Sequence, residues 1–183
     1  MIYHISLQTA GFVAGLFLLL LGLANLILAG TIRASATKIP RSMSVGMALF
    51  SLALVWSFWL LATMEMGEFS SFRRPLLFAL PVGFVLVVLF VKEFLAARAL
   101  GILCLLAAEP LLEAAFLRYE TSRLLVVVFA YIMIVAGLFW VTMPYLLRDQ
   151  IGWSVRSAGR WNIVNGLTAL YGIAILVCAL TQY

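Results

Sequence analysis

The sequence predicts an all-α integral membrane protein, a polytopic bundle of six transmembrane helices. Two observations predict this class. Of the 183 residues, 66% are hydrophobic and only 10% are charged, whereas ordinary soluble domains are about 45–50% apolar and about 25% charged. The apolar residues also form continuous runs of the length, about 20 residues, that an α-helix needs to cross a bilayer. Such continuous runs exclude a β-barrel, whose strands alternate apolar and polar residues.

Six apolar stretches account for nearly the whole chain, so 1–183 is interpreted as a single integral membrane domain. The predicted helices span about 9–30, 43–64, 75–91, 94–117, 124–147 and 161–181. The first is interpreted as a retained helix, because no Lys or Arg precedes it and its apolar run is too long for a signal peptide. The third is the shortest, and its length lies at the lower limit of about 17 residues for a span.

The boundary between the third and fourth stretches is the weakest. Only Lys92 and Glu93 separate the two stretches, and Arg98 follows about one turn later. The alternative architecture is therefore five spanning helices and a fourth segment that is re-entrant or interfacial.

Basic residues divide unevenly between alternate connectors, which predicts the orientation. The first, third and fifth connectors carry eight: Arg33, Lys38, Arg41, Lys92, Arg98, Arg148, Arg156 and Arg160. The second and fourth carry four: Arg73, Arg74, Arg118 and Arg123. Because positive charge favours the cytoplasmic side, both termini are expected outside, in a bacterial cytoplasmic (inner) membrane. Topology then accounts for the net charge of +5, and no nucleic-acid partner is expected.

The fourth predicted helix carries the strongest candidate site. At 100° per residue, its four charged residues fall within an arc of about 60°: Arg98, Glu109, Glu113 and Glu120. Glu109 is expected near mid-bilayer, where an ionisable residue indicates an ion pathway or a buried packing contact. Pro110 follows directly and predicts a kink, because it lacks the N–H of the helical hydrogen bond. Glu109 and Glu113 are therefore candidates for proton or cation coupling.

Polar residues on neighbouring helices are candidate partners for these carboxylates. On the fifth predicted helix, four polar residues share one face: Tyr131, Thr142, Tyr145 and Asp149. The short fourth connector makes the fourth and fifth helices antiparallel neighbours, so Tyr131 is expected to contact Glu109 or Glu113. Asn25 on the first helix and Asn165 on the last are further candidate donors.

Small residues predict where the first and last helices contact others. Glycine lets helix backbones approach closely in membranes, and the candidate packing positions are Gly11, Gly15, Gly22, Gly166 and Gly172.

The inventory of reactive side chains disfavours an enzyme. The chain has one histidine, His4, one aspartate, Asp149, and two cysteines, too few for a histidine-rich metal site or a Ser-His-Asp triad. No metal and no cofactor is assigned, although aromatic residues leave a bound quinone, pigment or lipid open.

Three functions compete on this basis. The favoured one is a non-catalytic subunit of a larger membrane complex, whose partners are the lipid bilayer and other membrane subunits or further copies of the chain. The alternative is a proton- or cation-coupled small transporter or channel that uses Glu109 and Glu113. The third is an interfacial enzyme or ligand sensor built on four charged residues: Glu113, Glu120, Arg118 and Arg123.

Overall fold

A computed structural model describes residues 3, 5–91 and 94–182, without the side chain of Ile39. The structure is 86% helical, and its described residues contain no strand. Six helices among these residues are long and apolar enough to cross a membrane, which confirms the all-α class and indicates an integral membrane protein. His4, Lys92 and Glu93 lie outside the described residues.

The described part of the chain contains eight α-helices: α1 Leu7–Ile27, α2 Ala29–Ala36, α3 Met43–Thr63, α4 Arg73–Phe90, α5 Leu95–Ala115, α6 Arg123–Thr142, α7 Tyr145–Val155 and α8 Ala158–Thr181. Short 3-10 helices at Ile39–Arg41 and Gly67–Phe72 precede α3 and α4. The six long helices are the candidate spans, and α2 and α7 are short helices in the connectors.

The fourth predicted stretch forms one uninterrupted helix. α5 runs for 21 residues through Pro110, and it is among the helices long and apolar enough to span. By length and composition, α5 could span a membrane, as the six-helix prediction requires.

The prediction of one continuous fifth helix over 124–147 is wrong, because the chain breaks at Pro144. α6 ends at Thr142, and a separate helix, α7, begins at Tyr145. Proline cannot donate the helical hydrogen bond and disfavours helical torsions in the residue before it; Met143 accordingly has φ −126° and ψ 70°. Tyr145 and Asp149 consequently do not share a helix face with Tyr131.

The first predicted helix also ends early. α1 stops at Ile27, and α2 begins two residues later, after Leu28 with φ −97° and ψ 26°. The predicted helix extended to residue 30 because the prediction was based on hydropathy, and the residues on both sides of the break are apolar or small.

Two closely packed helix pairs form the centre of the bundle. α1 packs along α8, and α5 packs along α6, while α3 lies against both α5 and α4. α4 is peripheral: it packs chiefly on α3 and contains no buried residue. Helix contacts in a membrane depend on packing rather than on hydrophobic burial, so α4 is the least constrained of the six long helices.

The first, third and fifth connectors meet at one end of the bundle. Arg33 donates a hydrogen bond from Nη2 to the carbonyl oxygen of Val155 at 2.7 Å, which ties α2 to α7. The guanidinium groups of Arg41 and Arg148 each lie 5.8 Å from the ring centroid of Phe94, within the range of a cation–π contact.

Candidate functional site

Glu109 and Glu113 lie one turn apart on α5 and line the same cavity. The cavity has a volume of about 600 Å³, and the other residues around it are apolar: Leu105, Ala108, Leu112, Phe116 and Ile134. Glu109 is exposed, whereas Glu113 is half-buried. The spacing on α5 thus places both carboxylates beside one opening between α5 and α6.

The segment before α1 reaches Glu113. The backbone N–H of Tyr3 donates to Oε2 of Glu113 at 3.3 Å, and Nε1 of Trp56 on α3 donates to the Tyr3 hydroxyl at 2.7 Å. The Tyr3 ring also lies 5.6 Å from that of Trp59, centroid to centroid, at an interplanar angle of 52°. Tyr3 therefore links three elements: the start of α1, α3 and α5.

The environment of Tyr3 disfavours its ionised form. Burial raises the pKa of the Tyr3 hydroxyl above its ordinary value, and the carboxylates of Glu109 and Glu113 raise it further, while the hydrogen bond from Trp56 acts in the opposite direction. Tyr3 is consequently a neutral hydrogen-bonding group at neutral pH.

Sequence reasoning did not place Tyr3, Trp56 and Trp59 at this site. Trp56 and Trp59 are three residues apart and therefore lie on the same side of α3. That spacing could have indicated, from the sequence alone, that the two rings lie on one face of α3. Tyr3 lies in a short tail with no helical periodicity, so nothing in the sequence pattern indicated its contact with Glu113.

Tyr131 does not make the predicted contact with Glu109 or Glu113. It is 57% exposed, and no hydrogen bond joins it to another described residue. α6 does lie against α5, but Gly137 is the residue that faces it, with Gly101 opposite. At 100° per residue, Tyr131 lies about 120° around α6 from Gly137.

Asn25 and Asn165 bind each other instead of the carboxylates. Nδ2 of Asn25 donates to Oδ1 of Asn165 at 2.8 Å, and Nδ2 of Asn165 donates to the carbonyl oxygen of Trp161 at 2.8 Å. Nε1 of Trp161 donates in turn to the carbonyl oxygen of Asn25 at 2.8 Å. These three side chains form a closed polar network between α1 and α8.

Three of the predicted packing glycines lie at the α1–α8 contact. A Cβ added to Gly172 would lie 2.6 Å from the amide nitrogen of Leu19, and one added to Gly22 would lie 2.8 Å from the carbonyl oxygen of Asn165. Gly15 faces Gly172 at a similar distance. Any side chain would force these backbones apart.

The other two predicted packing glycines differ from each other. Gly11 is buried on α1, whereas a Cβ on Gly166 would meet nothing within 4 Å. The predicted contact face on α8 therefore does not include Gly166.

Arg98 lies on α5 eleven residues before Glu109, about 16 Å along the helix. No ion pair joins it to a carboxylate within the described part of the chain. The prediction of one charged stripe of four residues is therefore wrong. Arg98 lies near the start of α5, Glu109 and Glu113 lie near its end, and Glu120 lies beyond the helix, which ends at Ala115.

The arrangement at Glu109 and Glu113 can hold a proton or a small cation, because carboxylate oxygens accept and no fixed positive side chain neighbours Glu109 among the described residues. Within the same residues, no group of three His, Cys, Asp or Glu side chains is suited to a metal ion. Comparison of the chain with protein families, curated proteins and solved structures finds no match.

Proposed function

We propose that the protein is a non-catalytic subunit of a membrane protein complex and that α4 is the helix that meets its partner. The observation that supports this is the unequal packing of the long helices. α1, α5, α6 and α8 each contain buried residues that contact another helix, whereas α4 contains none and packs chiefly on α3. Because packing stabilises helix association in lipid, a partner helix against α4 would supply contacts that this chain does not provide.

The test is purification in mild detergent from native membranes at endogenous expression, followed by native mass spectrometry. We expect a reproducible hetero-oligomer. Val85→Trp on the outer face of α4 should release the partner, while Val177→Trp on α8 is the matched control, since the two valines are 51% and 52% exposed. A parent protein that is monomeric or purely homo-oligomeric would contradict the proposal, as would equal loss of the partner in both variants.

A second candidate function, a proton- or cation-coupled transporter or channel, is favoured by a different observation. Glu109 and Glu113 share one cavity of about 600 Å³, and intramembrane carboxylates commonly mark ion pathways. Its test is ion flux into liposomes that contain the purified protein. Glu109→Gln should reduce flux to the level of protein-free liposomes, whereas Glu120→Gln, which lies outside the cavity, should not. Flux that is unchanged in Glu109→Gln would eliminate this function.

For the orientation, we propose that both termini face outward from a bacterial cytoplasmic membrane. The basic first, third and fifth connectors are expected in the cytoplasm, and their contacts at one end of the bundle are consistent with this. A membrane-impermeant maleimide should label Ser71→Cys in intact cells and should label Ser157→Cys only after lysis. The opposite pattern would reverse the assignment.

A further inference from the structure

A second cavity, of about 580 Å³, lies between α3, α4 and α5. The cavity separates α4 from α5, the two helices that pack against α3. Its surface is almost wholly apolar, with Ser57 as its one hydroxyl side chain, and a stacked pair of rings, Phe50 and Phe84, 4.9 Å between centroids, lies on its wall. Such a volume and lining suit a hydrocarbon ligand.

The cavity runs along the helices from one end of the bundle. On α4 its lining begins at Leu76, one turn from the helix start, and ends at Val87. The distance from Leu76 to Val87 along the helix is about 16 Å, roughly half of the about 30 Å hydrocarbon thickness of a bilayer. The cavity therefore has the depth of one leaflet and the direction of an acyl chain.

Arg73 is not a lining residue, but it adjoins the end of this cavity nearest the start of α4. Its Nη2 donates to the carbonyl oxygen of Met64, a residue of the lining, and Leu76 of the lining is one turn further along α4. The Nε atom of Arg73 is buried without a hydrogen-bond partner. Arg73 forms no ion pair with Glu65 or Glu68, the acidic residues of the preceding connector.

We propose that this cavity is a binding site for one anionic phospholipid of the surrounding bilayer. One acyl chain occupies the cavity, and the phosphate group lies against the guanidinium of Arg73. The charges are complementary, because arginine binds phosphate through charge-assisted hydrogen bonds. No carboxylate of the described residues pairs with Arg73, so a lipid phosphate supplies the counter-charge at the depth where lipid headgroups lie. This proposal is independent of the subunit function, since the partner is placed on the outer face of α4.

Two pairs of variants test the two ends of the ligand separately. Arg73→Gln removes the phosphate contact, and Arg74→Gln is its matched control, because Arg74 is the exposed neighbour. Gly83→Leu fills the cavity, since Gly83 lines it and a Cβ there meets nothing within 4 Å. Gly166→Leu is the control for that change, because Gly166 has equally open surroundings on α8.

The measurement is binding of dioleoylphosphatidylglycerol and of dioleoylphosphatidylcholine to the delipidated full chain, by native mass spectrometry. We expect one phosphatidylglycerol to be retained, with a preference over phosphatidylcholine of about tenfold, or about 1.4 kcal/mol, because the choline cation of phosphatidylcholine already neutralises its phosphate and repels the guanidinium of Arg73. Arg73→Gln should abolish the preference, and Gly83→Leu should weaken the binding of both lipids. Arg74→Gln and Gly166→Leu should behave like the parent.

Three results would overturn the proposal. The first is unchanged phosphatidylglycerol binding in Gly83→Leu, which would place the acyl chain elsewhere. The second is an equal effect of Arg73→Gln and Arg74→Gln, which would indicate attraction to surface charge without a defined site. The third is a parent protein that binds the two lipids equally. If Arg73→Gln does not fold, Gly83→Leu and its control still decide the outcome.

Discussion

Glycines on α8 and on α4 have opposite surroundings. At Gly172 the backbone of α1 lies so close that an added Cβ would be 2.6 Å from the amide nitrogen of Leu19, whereas at Gly83 the same atom would meet nothing within 4 Å. α1 and α8 therefore contact each other through their backbones, while α4 is separated from α5 by a cavity. Helices of similar apolar composition thus pack in two ways in this chain: α1 and α8 are in close backbone contact, whereas α4 borders a cavity.

The largest effect is expected where the backbones are closest. Gly172→Ala should destabilise the protein by about 1–3 kcal/mol, the usual cost of overpacking, because the new methyl group collides with main-chain atoms that cannot rotate away. The free energy of unfolding, measured by tryptophan fluorescence during SDS titration of mixed micelles, checks this. Gly166→Ala on the same helix should not lower stability, and an equal loss in both variants would show that the close approach is not the cause.

A smaller effect is expected at the polar network of the same contact. Asn165→Leu removes the hydrogen bond with Asn25 and should cost about 1 kcal/mol, within the range measured for polar contacts between membrane helices. Asn162→Leu is the control, since Asn162 is exposed on α8. The same titration provides the measurement. An unchanged Asn165→Leu would mean that glycine packing alone holds α1 to α8.

For Gly83 on α4 we expect the free energy of unfolding to change in the opposite direction. Gly83→Ala should stabilise the protein by about 0.5–1 kcal/mol, because alanine has the higher helix propensity and its methyl group has room. Unfolding in SDS under the same conditions gives the value. If Gly83→Ala destabilised the protein as much as Gly172→Ala, the surroundings of Gly83 would be as crowded as the α1–α8 contact, and the comparison would be wrong.

The smallest effect concerns Tyr3, which joins the α1 end to α3 and α5. Its raised pKa means that the folded state keeps the hydroxyl proton while the unfolded state loses it, so this contribution is complete below the ordinary value of 10.0 and is lost as pH rises through the folded pKa. Thermal midpoints of the parent should therefore fall between pH 9 and about pH 11 more steeply than those of Tyr3→Phe. Parallel curves would contradict the assignment to Tyr3.

Hydropathy was sufficient to predict the six long helices, and one face of α5 was predictable from the spacing of Glu109 and Glu113. The break at Pro144 was missed because apolar residues continue on both sides of it, although the proline itself was a readable signal. The rotation of a helix about its axis was not predictable in the same way. Tyr131 lies on another side of α6 because Gly137 is the residue that contacts Gly101 on α5. The sequence spacing of Tyr131 does not indicate which side of α6 packs against α5.

Pairing between distant segments was also beyond the sequence pattern. Asn25 and Asn165 were recognised as polar residues in apolar helices, but their hydrogen bond depends on α1 lying along α8, which is a property of the assembled bundle. Tyr3 was missed for the same reason, since its partners Trp56 and Glu113 lie on two other helices.

The contact between α1 and α8 has a consequence for biosynthesis. Asn25 and Asn165 are separated by 140 residues, and at about 5–20 residues per second a ribosome needs on the order of ten seconds to make that stretch. During this interval the glycine-lined side of α1 has already been synthesised but lacks its final neighbour. The contact between α1 and α8 can therefore form only late in translation. Until then, the intermediate exposes the glycine-lined surface of α1 that later packs against α8.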